Sequence, residues 1–171
     1  MTTEPFVWVW LPGATQPVVA GRVRSELVNG RELFTFQYGR SFLENSSSIS
    51  LFTELPLKRG VQLPMPGLDI AGVLLDATPD SWGRRVINQD VLGARVRGSD
   101  VAELGLVTYM MKSGSDRIGA LDFQDSPTHY VPRGLDHTAT LEQLLDAAGL
   151  IEDGVPLPAG LADALMLGST V

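Results

Sequence analysis

Cysteine is absent from the chain of 171 residues. That excludes disulfides, thiol catalysis and thiolate-held metal, and it suits a reducing compartment. Lysine is nearly absent: Lys58 and Lys112 are the only two. No Gly-Lys-Ser/Thr phosphate loop exists, no Gly-x-Ser-x-Gly nucleophile turn, and no His-Arg-Asp or Asp-Phe-Gly run. The two histidines, His129 and His137, lie in a polar stretch without a Cys or carboxylate constellation. They read as surface residues, and no metal site is expected. No apolar run approaches the ~18 residues of a membrane span. Residues 1–4 carry neither a basic region nor an apolar signal core, so a cytoplasmic protein without a membrane partner is expected. Positive charge is also short, with 13 Lys and Arg against 20 Asp and Glu and a net charge of −7. Direct nucleic-acid binding needs a basic surface and is not expected. Arg84, Arg85, Arg95 and Arg97 are close in sequence, but with acids around them they read as a solvated face.

What is present is ordinary globular composition, 44% hydrophobic and 19% charged, enough for one domain or two small subdomains. Residues 6–11 are aromatic and β-branched and predict a strand. Residues 18–24 predict a second. Asn29-Gly30 predicts a tight hairpin, because both residues accept positive φ. Residues 31–38 follow as a third strand, with Phe34, Phe36 and Tyr38 on one buried face. The polar run 41–50 reads as a loop, and 49–55 as a further strand ended by Pro56. Residues 1–66 therefore form a small, mostly antiparallel sheet subdomain.

From residue 67 the apolar period approaches 3.6, and residues 67–171 read as a mainly helical subdomain with one further strand. Ile70, Val73 and Leu74 share a helical face that stops before Pro79. Thr78-Pro79 opens a helix to about residue 92, with Thr78 capping and Asp80 in the first turn. Trp82 and Val86 share its core face. Ser99, Asp100 and Glu103 suggest the cap of a next helix, with Leu104, Val107 and Met111 as its buried stripe. Residues 113–123 read as a turn feeding an edge strand. Thr140 and Gln143 form a capping box for a helix whose apolar face is Leu141, Leu144, Leu145 and Ala148, with Gly149 as its stop. Residues 159–167 read as a last, almost wholly apolar helix, an unusual end for a chain. It predicts an exposed apolar surface awaiting a continuation.

The densest chemistry lies in residues 76–85, Asp-Ala-Thr-Pro-Asp-Ser-Trp-Gly-Arg-Arg. Two readings stand: a capped helix with a core tryptophan and solvated arginines, or a corner locked by Arg84 or Arg85 on Asp76 or Asp80. Both are structural. The chain by itself supports an α+β fold with no catalytic set.

Two runs together, Pro79-Asp80-Ser81-Trp82-Gly83-Arg84 and Asp116-Arg117-Ile118-Gly119-Ala120-Leu121, resemble the N-terminal region of the HipA-type serine/threonine toxin kinases. The resemblance covers most of residues 6–171. The resemblance implies the N-lobe part of a bilobal kinase, with Asp76, Pro79, Asp80, Trp82, Gly83, Arg84, Asp116, Arg117 and Gly119 as structural motif positions. It implies that Ser169, Thr170 and Val171 start the nucleotide loop, with Thr170 or Ser169 as the autophosphorylated position. It further implies a helix-turn-helix antitoxin as partner, with ATP, magnesium and an aminoacyl-tRNA synthetase substrate belonging only to the complete kinase. The phosphate-binding lysine, the metal-binding acid and the catalytic aspartate of phosphoryl transfer lie outside this sequence. No cofactor is expected for this chain alone, and the chain is expected to be inactive by itself. Two other readings are a separately encoded module that neutralises a shortened kinase, and an unrelated α+β interaction domain.

Overall fold

A computed structural model describes residues 4–92, 104–115, 119–134, 140–155, 157–158, 161 and 165. The fold is α+β, a five-stranded antiparallel sheet with helices. It divides into two compact units, Met1–Ala77 with Gly119–Val131, and Thr78–Ile118 with Pro132–Val171. The composition shift near residue 67 falls inside the first unit.

In the first unit, β1 (Phe6–Val9), β2 (Val18–Val28) and β3 (Arg31–Tyr38) form a meander. Asn29 (φ 53°) and Gly30 (φ 80°) make the two-residue turn between β2 and β3, which places Val28 opposite Arg31. Positive φ at both central residues matches the right-handed twist of the strands. β4 (Val61–Gln62) pairs with β3, and β5 (Leu121–Gln124) pairs with β1, giving the order β4-β3-β2-β1-β5. The strand expected after residue 113 thus joins this sheet and forms one of its edges. Gly21 in β2 is required sterically: a Cβ there would lie 2.2 Å from the Gln37 carbonyl oxygen and 2.8 Å from the Phe36 ring.

Phe34, Phe36 and Tyr38 are buried as their alternation predicts. Phe36 meets Tyr38 edge-on at 4.8 Å, and Tyr38 stacks on Phe42 at 5.6 Å. That stacking explains a correction. Residues 41–44, expected as loop, belong to a short helix, α1 (Arg40–Glu44), because it buries Phe42 and pairs Arg40 with Glu44 one turn on. A second correction concerns residues 49–55, which form a turn with one isolated bridge, Phe52 to Leu55, in place of a strand. The Tyr38 hydroxyl decides this conformation. It accepts a hydrogen bond from Leu51 N (2.9 Å) and donates one to Leu55 O (2.6 Å). Burial pushes the Tyr38 phenol above its ordinary value near 10, against a smaller opposing pull from the Leu51 amide. The unit ends in α2 (Gly72–Asp76), whose Leu74 is buried beside Ile70 and Ala71 in sequence.

The second unit holds α3 (Ser81–Leu92), α4 (Leu106–Lys112) and α5 (Leu141–Glu152). Its core is Val86, Ile87, Tyr109, Ala147, Ile151 and Leu165, with Trp82, Leu104, Leu144, Leu157 and Leu161 packed against it. α4 buries Tyr109 and Met110, whereas Val107 and Met111 are only half-buried, so the expected stripe is rotated. The Ser99, Asp100 and Glu103 cap lies outside the described residues, as do Arg95 and Arg97; α4 starts after Gly105. The Thr140 capping box is present, with Thr140 Oγ1 accepting from Gln143 N and Gln143 Oε1 accepting from Thr140 N. α5 continues through Gly149 to Glu152, and the chain turns at Gly154 (φ 66°). Its buried residues are Ala147 and Ile151, while Leu145 is 65% exposed. The Leu141 side chain lies outside what the structure describes. Leu165 is buried and Leu161 packs on the core. Where described, the last apolar segment is therefore sheltered. Among the described residues no helix is long and apolar enough to cross a membrane.

Candidate functional site

The 76–85 stretch straddles the two units, with Asp76 ending α2 and Thr78 opening the helical unit. Asp80 stands directly before α3, and its Oδ1 accepts from Gly83 N at 2.8 Å. Asp80 therefore caps α3 from outside the helix, where a first-turn position was expected. The correction has a simple cause. A cap residue must reach the amide two or three positions on, and the Asp80 carboxylate does so while also favouring the positive end of the helix dipole. Arg84 N donates to Asp80 O at 2.9 Å, closing the first turn. The Arg84 side chain folds back, with Nε donating to Pro79 O at 3.2 Å. Its guanidinium lies 5.1 Å from the Tyr109 ring centroid, a cation–π contact. Arg84 thus engages a carbonyl and an aromatic face, in place of the carboxylate pairing considered from the sequence. Arg85 is exposed.

Tyr109 is 2% exposed and carries the polar half of this corner. Its hydroxyl donates to Asn88 Oδ1 at 3.0 Å and accepts from Leu104 N at 3.2 Å. Trp82 packs on the core beneath. Pro79, Asp80, Trp82, Gly83 and Arg84 therefore form one object, a capped and clamped helix start. Nothing in the sequence spacing pointed to Tyr109 or Asn88 as its other half, because they are 21 residues apart.

The second motif run is described from Gly119 onward. Asp116 and Arg117 lie outside the described residues, as do Ser169, Thr170, Val171 and His137. Gly119 has φ 114°, a conformation that side chains resist. Immediately after it, Trp10 N donates to Ala120 O at 3.0 Å and β5 begins. Asp122 in β5 is fully buried. Its Oδ1 accepts from Phe123 N (2.7 Å), and its Oδ2 accepts from Gln124 Nε2 (2.9 Å) and from the Tyr130 hydroxyl (2.8 Å). Gln124 also donates to Val131 O at 3.0 Å. Tyr130 meets Trp8 and Trp10, each at 5.4 Å. This carboxylate holds residues 126–131 along the β5 side of the sheet. Sequence reasoning missed it, since an acid in a four-residue edge strand ordinarily faces water. His129 is exposed, and among the described residues no three His, Cys, Asp or Glu gather as a metal site would require.

A family model, the HipA N-terminal domain, matches residues 15–124. The chain belongs to the HipA N-terminal domain family. The match runs from the approach to β2 through the end of β5 and contains both motif runs. Membership replaces the reading of an unrelated α+β interaction domain. Neither the curated proteins nor the solved structures gave a match. The HipA resemblance read from residues 79–84 and 116–121 is thus shown at the level of the domain.

Proposed function

We propose that this chain is the N-terminal portion of a HipA-type serine/threonine protein kinase, the toxin of a type II toxin–antitoxin pair in the bacterial cytoplasm. It scaffolds the N-lobe, offers a surface to a helix-turn-helix antitoxin, and transfers no phosphate alone. The observation that carries this is the HipA N-terminal domain match over residues 15–124, with both motif runs inside it. The use of Asp80, Trp82 and Arg84 to build the start of α3 supports a scaffolding role. Phosphoryl transfer needs a phosphate-binding lysine, a metal-binding acid and a catalytic aspartate. The rest of the kinase would bring these, together with ATP, magnesium and action on an aminoacyl-tRNA synthetase. Ser169, Thr170 and Val171 would begin the nucleotide loop, with Thr170 or Ser169 as the self-phosphorylated residue.

A second reading has one observation in its favour. Leu161 and Leu165 pack on the helical core, as they would in a separately encoded module that neutralises a shortened HipA-like kinase. The reading frame beyond codon 171, followed by co-expression, separates the two. An in-frame glycine-rich, lysine-containing continuation whose product phosphorylates itself supports the kinase portion. A stop codon followed by a shorter kinase gene, whose product is inhibited by this chain, supports the module.

A further inference from the structure

We propose that residues 49–65 of the sheet unit form a docking surface for an acidic, amphipathic helical segment of another protein. The surface is built from a pinned loop and the edge segment beside it. The Tyr38 hydroxyl holds the loop at Leu51 and Leu55. Glu54 Oε1 accepts from Val73 N at 3.0 Å, and Gln62 Nε2 donates to Pro56 O at 3.2 Å. With its backbone fixed at these points, the loop leaves Phe52 56% exposed and Leu57 41% exposed. Beyond it Val61, Leu63 and Met65 are exposed at alternate positions, while Gln62 between them is buried. Five large apolar side chains are thus exposed within 14 residues of an ordered segment, and exposed apolar surface of this kind marks interaction sites. A pinned backbone lowers the ordering cost of binding.

The chemistry of the occupant follows from charge. The sheet unit has six cations among its described residues. Arg22 and Arg24 pair with Glu4, Arg31 with Asp69, and Arg40 with Glu44. The two outside these pairs, Lys58 and Arg59, are exposed and lie between Leu57 and Val61. An exposed apolar segment interrupted by two unpaired cations complements an apolar stripe bordered by carboxylates. Pro56, Pro64 and Pro66 lack amide donors, so strand addition along this edge is blocked and recognition rests on side chains. A second copy of the chain and an anionic membrane are the competing occupants, and titration separates them from the acidic helix.

The proposal is independent of the kinase reading, and its test contains no nucleotide. The full chain is titrated, with fluorescence anisotropy as readout, against a labelled helical peptide bearing a leucine stripe flanked by glutamates. The same peptide with lysine at each glutamate is the control. The glutamate peptide is expected to bind about tenfold more tightly than the control, with added salt weakening it. Lys58→Glu with Arg59→Glu, and separately Phe52→Ser, should each lose about tenfold or more in affinity. Arg85→Glu, an exposed change in the helical unit, should leave binding unchanged. Circular dichroism confirms that each variant is folded. Equal binding of the two peptides, no binding, or insensitivity to the Lys58 and Arg59 changes would overturn the proposal. Self-association abolished by the same changes, or preference for phosphatidylserine vesicles over the peptide, would overturn it in favour of those occupants.

Discussion

In the sheet unit buried polar side chains tie loops to strands, and in the helical unit polar side chains, the exposed Asp80 and Thr140 among them, tie down helix ends. Tyr38 fixes residues 51 and 55, and Asp122 fixes residues 126–131 through Tyr130 and Gln124. In the other unit Asp80 caps α3, Thr140 caps α5, and Tyr109 receives Arg84 on its face and Asn88 on its hydroxyl. The sheet carries its own backbone ladder, so its polar side chains are available for irregular segments. A helix leaves four amides unpaired at its start, so its polar side chains go there first. The motif residues near 80 fall in the second class, which is why a stretch so dense in polar groups serves as the start of α3.

The comparison breaks most visibly at Gly21. A Cβ there meets the Gln37 carbonyl, which is backbone and cannot turn away. Gly21→Ala should cost on the order of 3 kcal/mol, because overpacking a strand pair forces backbone shifts. Hydrogen exchange should show protection falling across β1–β5 while α3 and α5 keep theirs. A uniform loss over both units would show that they are not separate cooperative bodies. Trp82→Ala is the reciprocal test. Removing a half-buried tryptophan from the helical core should cost roughly 2–3 kcal/mol, below the value for a fully buried ring. Urea unfolding followed by exchange should place that loss in α3, α4 and α5.

Smaller changes sharpen the distinction between loop ties and helix caps. Asp122→Asn turns one of the two acceptor oxygens into a donor, which faces either Phe123 N or the Gln124 and Tyr130 donors, at about 1–3 kcal/mol. Its signature is proteolytic cutting within residues 125–131 before global unfolding. Asp80→Ala removes one cap and should cost about 1 kcal/mol, with faster amide exchange at Gly83 and Arg84. Were Asp80→Ala to cost more than Asp122→Asn, the assignment of roles to the two carboxylates would need reversing.

Local chemistry made some of this readable beforehand. Asn29-Gly30 carries its own turn geometry, and Thr140 with Gln143 carries its own cap, so both could be placed from neighbouring residues alone. The alternation of Phe34, Phe36 and Tyr38 gave the buried face of β3. What could not be read came from partners distant in sequence. Residues 49–55 have strand-like composition, yet the Tyr38 hydroxyl holds them in a turn. Residues 41–44 look like loop, yet Phe42 finds Tyr38. Leu145 fits an apolar stripe on α5, but the core it would face meets Leu144, Ala147 and Ile151. β4 is two residues long and has no period to detect. Within the motif, the core tryptophan followed from helix rules, while the cap falls on Asp80 in place of the expected Thr78, and the Tyr109 and Asn88 half of the corner had no local signal.

Under the proposed function these residues build a scaffold and hold no nucleotide by themselves. Isothermal titration of the full chain with ATP and magnesium tests it most directly. The expected result is no heat beyond dilution, as for a non-binding control protein. Saturable binding with micromolar affinity would contradict it.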